Sequence, residues 1–247
     1  MKEGTTLMYT TETLGDRVSR YSESISVPVP QKLRDYHARI FRDRDDSNYM
    51  ISTFESQALI FLGRMIGAKR VLEIGVYVGF SAMIWSHAVG PQGKVTGLEY
   101  DEEYSELALQ AAKENGYDNI EIHTGDAAET LPKLAYPDEP YDIIFIDANK
   151  TAYPGYLAKI LEMSQPGAKQ RLLRKGGIIA ADNAMRRGLV ADSSSDNPWL
   201  PADFANSWEG GAVAAIRKYN KAAAENSRLE TFMIPLWDGL NLARLVD

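Results

Sequence analysis

Hydrophobic positions along the chain change period several times, and each change marks an element. From Gln31 to about Asp45 the apolar residues Leu33, Tyr36, Ile40 and Phe41 fall at helical spacing, and Ser52 to Ile66 repeats the pattern with Phe54, Leu59, Leu62 and Met65. The run Val71, Leu72, Ile74 is too short for a buried helix, carries β-branched residues and stops at Gly75, so it predicts a buried strand feeding a helix. Strand and helix signals then alternate. Strands are predicted at Lys94–Leu98, Ile120–His123, Tyr141–Ile146 and Ile178–Ala181, and helices at Glu102–Asn115, Tyr153–Met163 and Ala212–Glu225. Near the end, Leu229–Leu236 and Leu240–Val246 flank Trp237-Asp238-Gly239, and Asp-Gly between apolar runs predicts a hairpin with an antiparallel last strand. The pattern as a whole predicts an α/β fold with a doubly wound, seven-stranded sheet, mainly parallel, with helices on both faces.

Residues 1 to 30 are mixed and polar and end in Val27-Pro28-Val29-Pro30, which reads as an extended connector. Residues 1–47 are thus expected to form an N-terminal helical extension on a domain spanning 48–247. Within that domain Met185 to Gly211 shows no period and is longer than connecting loops usually are, which marks it as a candidate lid.

Composition narrows the function classes. With 247 residues and 45% hydrophobic content the chain suffices for one large core. A net charge of -7 argues against nucleic acid and against an anionic membrane surface, because both are bound by clustered Lys and Arg. The absence of cysteine excludes disulfides, thiolate zinc sites and a cysteine nucleophile, so any metal must bind through O or N. No secretory leader is visible and no stretch reaches the roughly 18 apolar residues of a membrane span, so a cytoplasmic chain is expected. His37, His87 and His123 lack ligand spacing, and neither a Gly-x-Ser-x-Gly elbow nor a Walker loop occurs.

Candidate chemistry gathers at predicted strand ends. Glu73 and Gly75 close the first strand, Glu99 the second, Asp147 the fourth, and Asp182-Asn183 the fifth. An acidic residue at the end of the second strand, some 20 residues past the glycines, suits the ribose hydroxyls of a nucleoside. The spacing Gly75-x-x-x-Gly79 is wrong for a pyrophosphate, which favours an adenosine cofactor lacking phosphates over a nicotinamide dinucleotide. Asp147, Asp182 and Asn183 can deliver two carboxylates and an amide oxygen to one point, a hard-cation set for Mg²⁺, with Ca²⁺ or Mn²⁺ possible; the plainer alternative is that they cap loops. Lys150 can reach the same pocket, and beside a divalent cation the charged form of an ammonium is disfavoured, which suits it to act as a base. Tyr153, Trp199, Trp208 and Trp237 are available to line an aromatic pocket, although packing is the commoner role for such residues.

These stretches resemble a known family. Leu72-Glu-Ile-Gly-Val-Tyr-Val-Gly-Phe-Ser81, Gly125-Asp126-Ala127, Ile146-Asp-Ala-Asn-Lys150 with Tyr153, Ala181-Asp-Asn183 and Ile234-Pro-Leu-Trp-Asp-Gly239 are similar, in order, to the cation-dependent O-methyltransferases. That family includes caffeoyl-CoA and catechol O-methyltransferases within the Rossmann-like class I S-adenosylmethionine-dependent enzymes. The resemblance implies S-adenosylmethionine as methyl donor, S-adenosylhomocysteine as product, a small phenolic substrate and a homodimer. It implies that Glu73, Gly75, Val76, Tyr77 and Ser81 surround the methionine part of the cofactor, Glu99 and Tyr100 the ribose, and Asp126-Ala127 the adenine. Glu55, Asp147 and Asn149 are implied as further cofactor contacts. It further implies that Asp147, Asp182 and Asn183 hold the metal, that Lys150 is the base with Asp147 beside it, and that Lys150, Tyr153, Asn183, Trp199 and Trp208 meet the substrate. Two departures stand out. Asn149 occupies a position typically Asp in the plant enzymes, and the Ala191 to Gly211 stretch does not resemble a coenzyme-A-binding loop, which favours a free phenol over a thioester. The rival classes are a nicotinamide-dependent oxidoreductase and a binding module that has lost turnover.

Overall fold

The computed structural model describes residues 11–134 and 136–247. Three helices precede the sheet: α1 (Glu12–Ile25), α2 (Gln31–Asp43) and α3 (Thr53–Met65). The periodicity places only the second and third of these, and α1 is an additional helix ahead of the Val27–Pro30 connector. Thr11 caps it by accepting from the Leu14 amide at 3.2 Å, although no α1 residue is fully buried. Then follow β1 (Arg70–Ile74), α4 (Phe80–Val89), β2 (Lys94–Glu99), α5 (Glu102–Glu114), β3 (Ile120–Thr124) and α6 (Ala127–Lys133). The second half is β4 (Tyr141–Ile146), α7 (Tyr153–Glu162), β5 (Leu173–Ala181), α8 (Trp208–Glu225), β6 (Leu229–Ile234) and β7 (Leu240–Leu245). Helix α6 was not expected from the pattern. It is only 7 residues long and contains Pro132, too short for a periodic signal. Helix α8 begins at Trp208 rather than Ala212, capped by Ser207.

The seven strands run in the order β3-β2-β1-β4-β5-β7-β6. The first five pair in parallel, and β7 pairs antiparallel with both β5 and β6, as the hairpin signal predicts. Both faces of the sheet are covered, so the central strands are apolar throughout instead of alternating. On β4, Ile143 and Phe145 face the layer built from α2 to α5, with Leu59, Ile60, Trp85 and Ala108. Ile144 and Ile146 face the layer of α6 to α8, with Leu131, Ile160, Ile216 and Tyr219. Strand order reverses sense at β1, whose neighbours are β2 and β4, and ligands of doubly wound sheets bind in the crevice at such a point.

Candidate functional site at the carboxyl ends of the strands

The carboxyl ends of β1, β2, β4 and β5 open into a cavity of about 960 Å³, room enough for a nucleoside cofactor together with a small aromatic molecule. Gly75, Val76, Tyr77, Ser81 and Glu55 line its middle, and Glu99, Tyr100, Asp126 and Ala127 line the side belonging to β2 and β3. Asp147, Asn149, Lys150, Asp182, Asn183 and Trp208 line the other side. Three expected residues do not line it. Glu73 is fully buried with neither carboxylate oxygen hydrogen-bonded, and burial raises its pKa well above the usual carboxylate range. Tyr153 is also fully buried and acts from beneath. Trp199 is 59% exposed and does not line the cavity, but its ring lies against the guanidinium of Arg187, which does.

The glycines of the β1–α4 turn serve the chain's own packing. Gly75, at φ +90°, turns where a Cβ would run into the Asp147 carbonyl, so only glycine lets β1 and β4 end side by side here. At Gly79, φ +86°, a Cβ would lie 2.9 Å from Ala108 Cα of α5. The turn between them holds the Glu99 carboxylate. Glu99 Oε2 accepts from the Val76 and Tyr77 amides, each at 2.8 Å, and Oε1 accepts from the Asp101 amide at 3.0 Å. Three backbone donors thus fix one nearly buried acid at the cavity wall. Asp126 caps α6 by accepting from the Ala128 amide at 2.8 Å, and Asn149 caps the next short turn through Thr151.

On the β4–β5 side the charges are crowded. Lys150 Nζ, itself buried, donates to Asp147 Oδ1 at 2.6 Å and to the Tyr153 hydroxyl at 2.9 Å. Tyr153 passes its proton toward the carbonyls of Ile146 and Asp182, at 3.0 and 3.1 Å, so the end of β4 and the end of β5 are tied beneath the lysine. Burial, then the Asp147 charge, pushes the Asp182 carboxyl up to about 8. Glu55, from the first turn of α3, is raised by burial and by the Asp182 and Asp147 carboxylates, and its Oε1 has no partner. Among the described residues no group of three or more His, Cys, Asp or Glu side chains is arranged to hold a metal ion. The expected set has only two carboxylates with the Asn183 amide. Its donors are hard oxygens, and the Asp147, Asp182 and Glu55 carboxylates crowd together there, which fits a divalent cation.

Other residues at this end were not singled out for the site by sequence reasoning. Arg186, Arg187, Glu209 and Asp238 line the cavity, together with Trp237, considered above only as one of several pocket aromatics. Arg186 pairs bidentately with Glu209, at 2.9 and 2.5 Å, and lies over the Trp208 ring. The hairpin turn is a wall of the site because the loop after β5 bonds to it: Ala184 N donates to Gly239 O and Met185 N to Asp238 O, both at 2.8 Å. The candidate lid is tethered too, since Arg217 of α8 donates to the carbonyls of Leu189 and Val190, each at 2.8 Å. One signal does single this wall out. The described non-glycine residues with left-handed backbone are Tyr77, Asn183, Arg186, Arg187, Trp237 and Asp238, and every one lines the cavity. Such conformations cost energy and persist where the surroundings over-determine them, commonly at functional sites.

A profile described as O-methyltransferase matches residues 23–246. The chain belongs to the O-methyltransferase family. Among curated members, this O-methyltransferase is 32% identical over 234 residues to the O-methyltransferase ankF of Aspergillus thermomutatus, with 92% of each chain covered. It is 34% identical over 199 residues to the catechol O-methyltransferase of Mycobacterium tuberculosis, covering 78% of this chain and 79% of that one. Of the solved structures, the SAH-bound methyltransferase PaMTH1 of Podospora anserina superposes with a TM-score of 0.83 at 32% identity, covering 96% of this chain and 97% of that one. The family supplies the seven-stranded architecture and the reaction class, O-methylation. It leaves the acceptor open.

Proposed function

We propose that this O-methyltransferase moves the methyl group of S-adenosylmethionine to one hydroxyl of a vicinal aromatic diol of catechol, caffeoyl or flavonoid type, releasing S-adenosylhomocysteine and the O-methyl ether. One observation carries the reading: a buried lysine and two carboxylates from adjacent strand ends face, across one cavity, a carboxylate held by three backbone amides. The Glu99 side takes the nucleoside, with the acid accepting from the ribose hydroxyls through lone pairs the amides leave free. Glu55, Gly75 and Ser81 border the middle, where the sulfonium end of the cofactor belongs.

Asp147, Asp182 and Asn183 would hold a divalent cation, Mg²⁺ or alternatively Ca²⁺ or Mn²⁺, whose charge would favour the phenolate form of a diol in this corner. Lys150 takes the phenolic proton at Nζ, held in place by Asp147 and by the Tyr153 hydroxyl. Trp208 and Trp237 flank the acceptor with apolar surface and help to orient it for the transfer. An aromatic acceptor of modest size agrees with this end of the cavity, and the loop beyond Ala191 has no likeness to a coenzyme-A-binding loop.

The test is incubation with S-adenosylmethionine and a panel of catechols, caffeoyl esters and flavonoids, with and without EDTA. Product is expected from vicinal diols only, and neither EDTA-treated enzyme nor Asp182→Ala should form it. Full activity in EDTA would remove the cation and leave Asp147, Asp182 and Asn183 as structural caps. Absence of product with every diol would favour a binding module without turnover.

A further inference from the structure

Between α2 and α3 the chain runs along the cavity wall, and one carboxylate ties that passage to two other elements. Asp46 Oδ1 accepts from the Tyr77 hydroxyl at 2.5 Å and from Arg44 Nε at 2.9 Å. Its Oδ2 accepts from the Tyr104 hydroxyl at 2.8 Å and from the terminal Arg44 nitrogen at 3.0 Å. Tyr77 belongs to the β1–α4 turn and Tyr104 to the first turn of α5. The two rings meet edge to face with centroids 4.9 Å apart, Tyr49 packs on Tyr77 at 5.7 Å, and the Arg44 guanidinium covers both Tyr77 and Tyr104. With these donors around it the Asp46 carboxyl is held well below the usual carboxylate range.

This cluster stands on the Glu99 side. Tyr49, Tyr77 and Tyr104 line the cavity, as do the residues from Asn48 to Ser52 that follow Asp46. Tyr77 is the joint between the two. Its hydroxyl is bound to Asp46, while its amide donates to Glu99 Oε2 at 2.8 Å from a backbone at φ +51°, a conformation a tyrosine does not hold unaided. The Asp46 side chain is 28% exposed, so the clamp sits where water competes for it and where it can open.

We propose that Asp46 is a positioning residue for the cofactor: through Tyr77 it fixes the amides that orient Glu99, and through Tyr104 it holds the 48–52 segment as a wall of the nucleoside subsite. Loss of the clamp frees Tyr77 to relax toward negative φ, which withdraws a donor from Glu99 and loosens one side of the cofactor's pocket. Cofactor affinity and residence time fall, while the phenol end, built from β4, β5 and the hairpin, is untouched. The inference rests on the proposed binding of S-adenosylmethionine on this side.

Calorimetry with S-adenosylhomocysteine, and steady-state kinetics in both substrates, test it on the full chain. Asp46→Ala is expected to raise the S-adenosylhomocysteine Kd and the S-adenosylmethionine KM about tenfold, as loss of one or two charge-assisted bonds would, with the phenol KM moved less than about twofold. Asp46→Asn, which keeps one acceptor oxygen, should fall between, and Asp43→Asn on the same segment should behave as wild type. If Asp46→Ala does not fold, Tyr77→Phe and Tyr104→Phe each remove a single hydroxyl and should each weaken the cofactor alone. Unchanged cofactor affinity in these variants, or an equal loss of phenol affinity, overturns the proposal. A wild-type protein that fails to bind S-adenosylhomocysteine overturns instead the functional reading beneath it.

Discussion

Replacing Glu99 by alanine tests the nucleoside side of the site, because the acid has two separable duties. The residue is 7% exposed, and its carboxylate accepts from three backbone amides at 2.8, 2.8 and 3.0 Å. Hydrogen bonds to a charged group are worth about 1.5–3 kcal/mol each when no substitute is present. Here the turn lines a large cavity, so water replaces part of the lost bonding, and a net loss of about 2–4 kcal/mol is expected. For a chain of this size that lowers Tm by about 5–15 °C. Glu99→Ala therefore costs stability as well as ligand binding, since the same acid pins the β1–α4 turn. Losing the ribose acceptor should separately weaken S-adenosylhomocysteine about 100-fold, the equivalent of about 3 kcal/mol. Glu99→Gln keeps an acceptor for the Val76 and Tyr77 amides and separates the two duties: Tm recovers by half or more, while affinity remains at least about tenfold down. Calorimetric titration and a thermal melt read both. A Tm loss in Glu99→Ala with S-adenosylhomocysteine affinity within about twofold of wild type would make Glu99 a turn pin only and refute the ribose assignment.

Lys150→Ala should lower kcat far more than it raises the phenol KM, with part of the loss recovered at high pH where the phenol ionises unaided; equal losses at every pH would argue against a proton-accepting role. Tyr153→Phe, which removes the hydroxyl that accepts from Lys150, should reduce kcat several-fold with the cofactor Kd unchanged. Stability in EDTA should fall as pH rises. Burial raises the folded-state pKa of Glu55, Glu73 and Asp182, the last to about 8, so between about 4 and 8 these three groups bind more protons in the folded chain than in the unfolded one, against a smaller opposing contribution from His37 and His87, whose pKa burial lowers. Melts in EDTA at pH 6 and pH 8 should show the lower Tm at pH 8, and added Mg²⁺ at pH 8 should narrow the gap; a flat or rising profile would contradict the anion-rich corner.

Local pattern was sufficient for most elements, because a strand buried on both faces or a helix with one buried face writes its period into neighbouring residues. The run around Ile143 to Ile146, the helical spacing before Met65 and the turn at Asp238-Gly239 all carry such signals, and each lies where its signal predicts. Helix α1 had one as well, Leu14, Val18, Tyr21 and Ile25 beyond a Thr11 cap, obscured by Gly15 and the serines on a helix that buries no residue fully. The candidate site residues were legible because chemistry in a parallel sheet collects at strand ends, whose positions follow once the strands are known. Which of those side chains meet was decided in three dimensions. Glu73 and Glu99 project from the same face of the sheet, yet only Glu99 reaches the cavity, because the register sets Glu73 level with Gly97, two residues short of Glu99 at the end of β2. Trp199 and Trp208 share a loop and composition, and only the start of α8 brings Trp208 to the wall. Arg186, Trp237 and Asp238 came from segments that sequence separates by about 50 residues, joined by backbone bonds between a loop and a hairpin turn. Such contacts depend on sheet order, which no local period encodes.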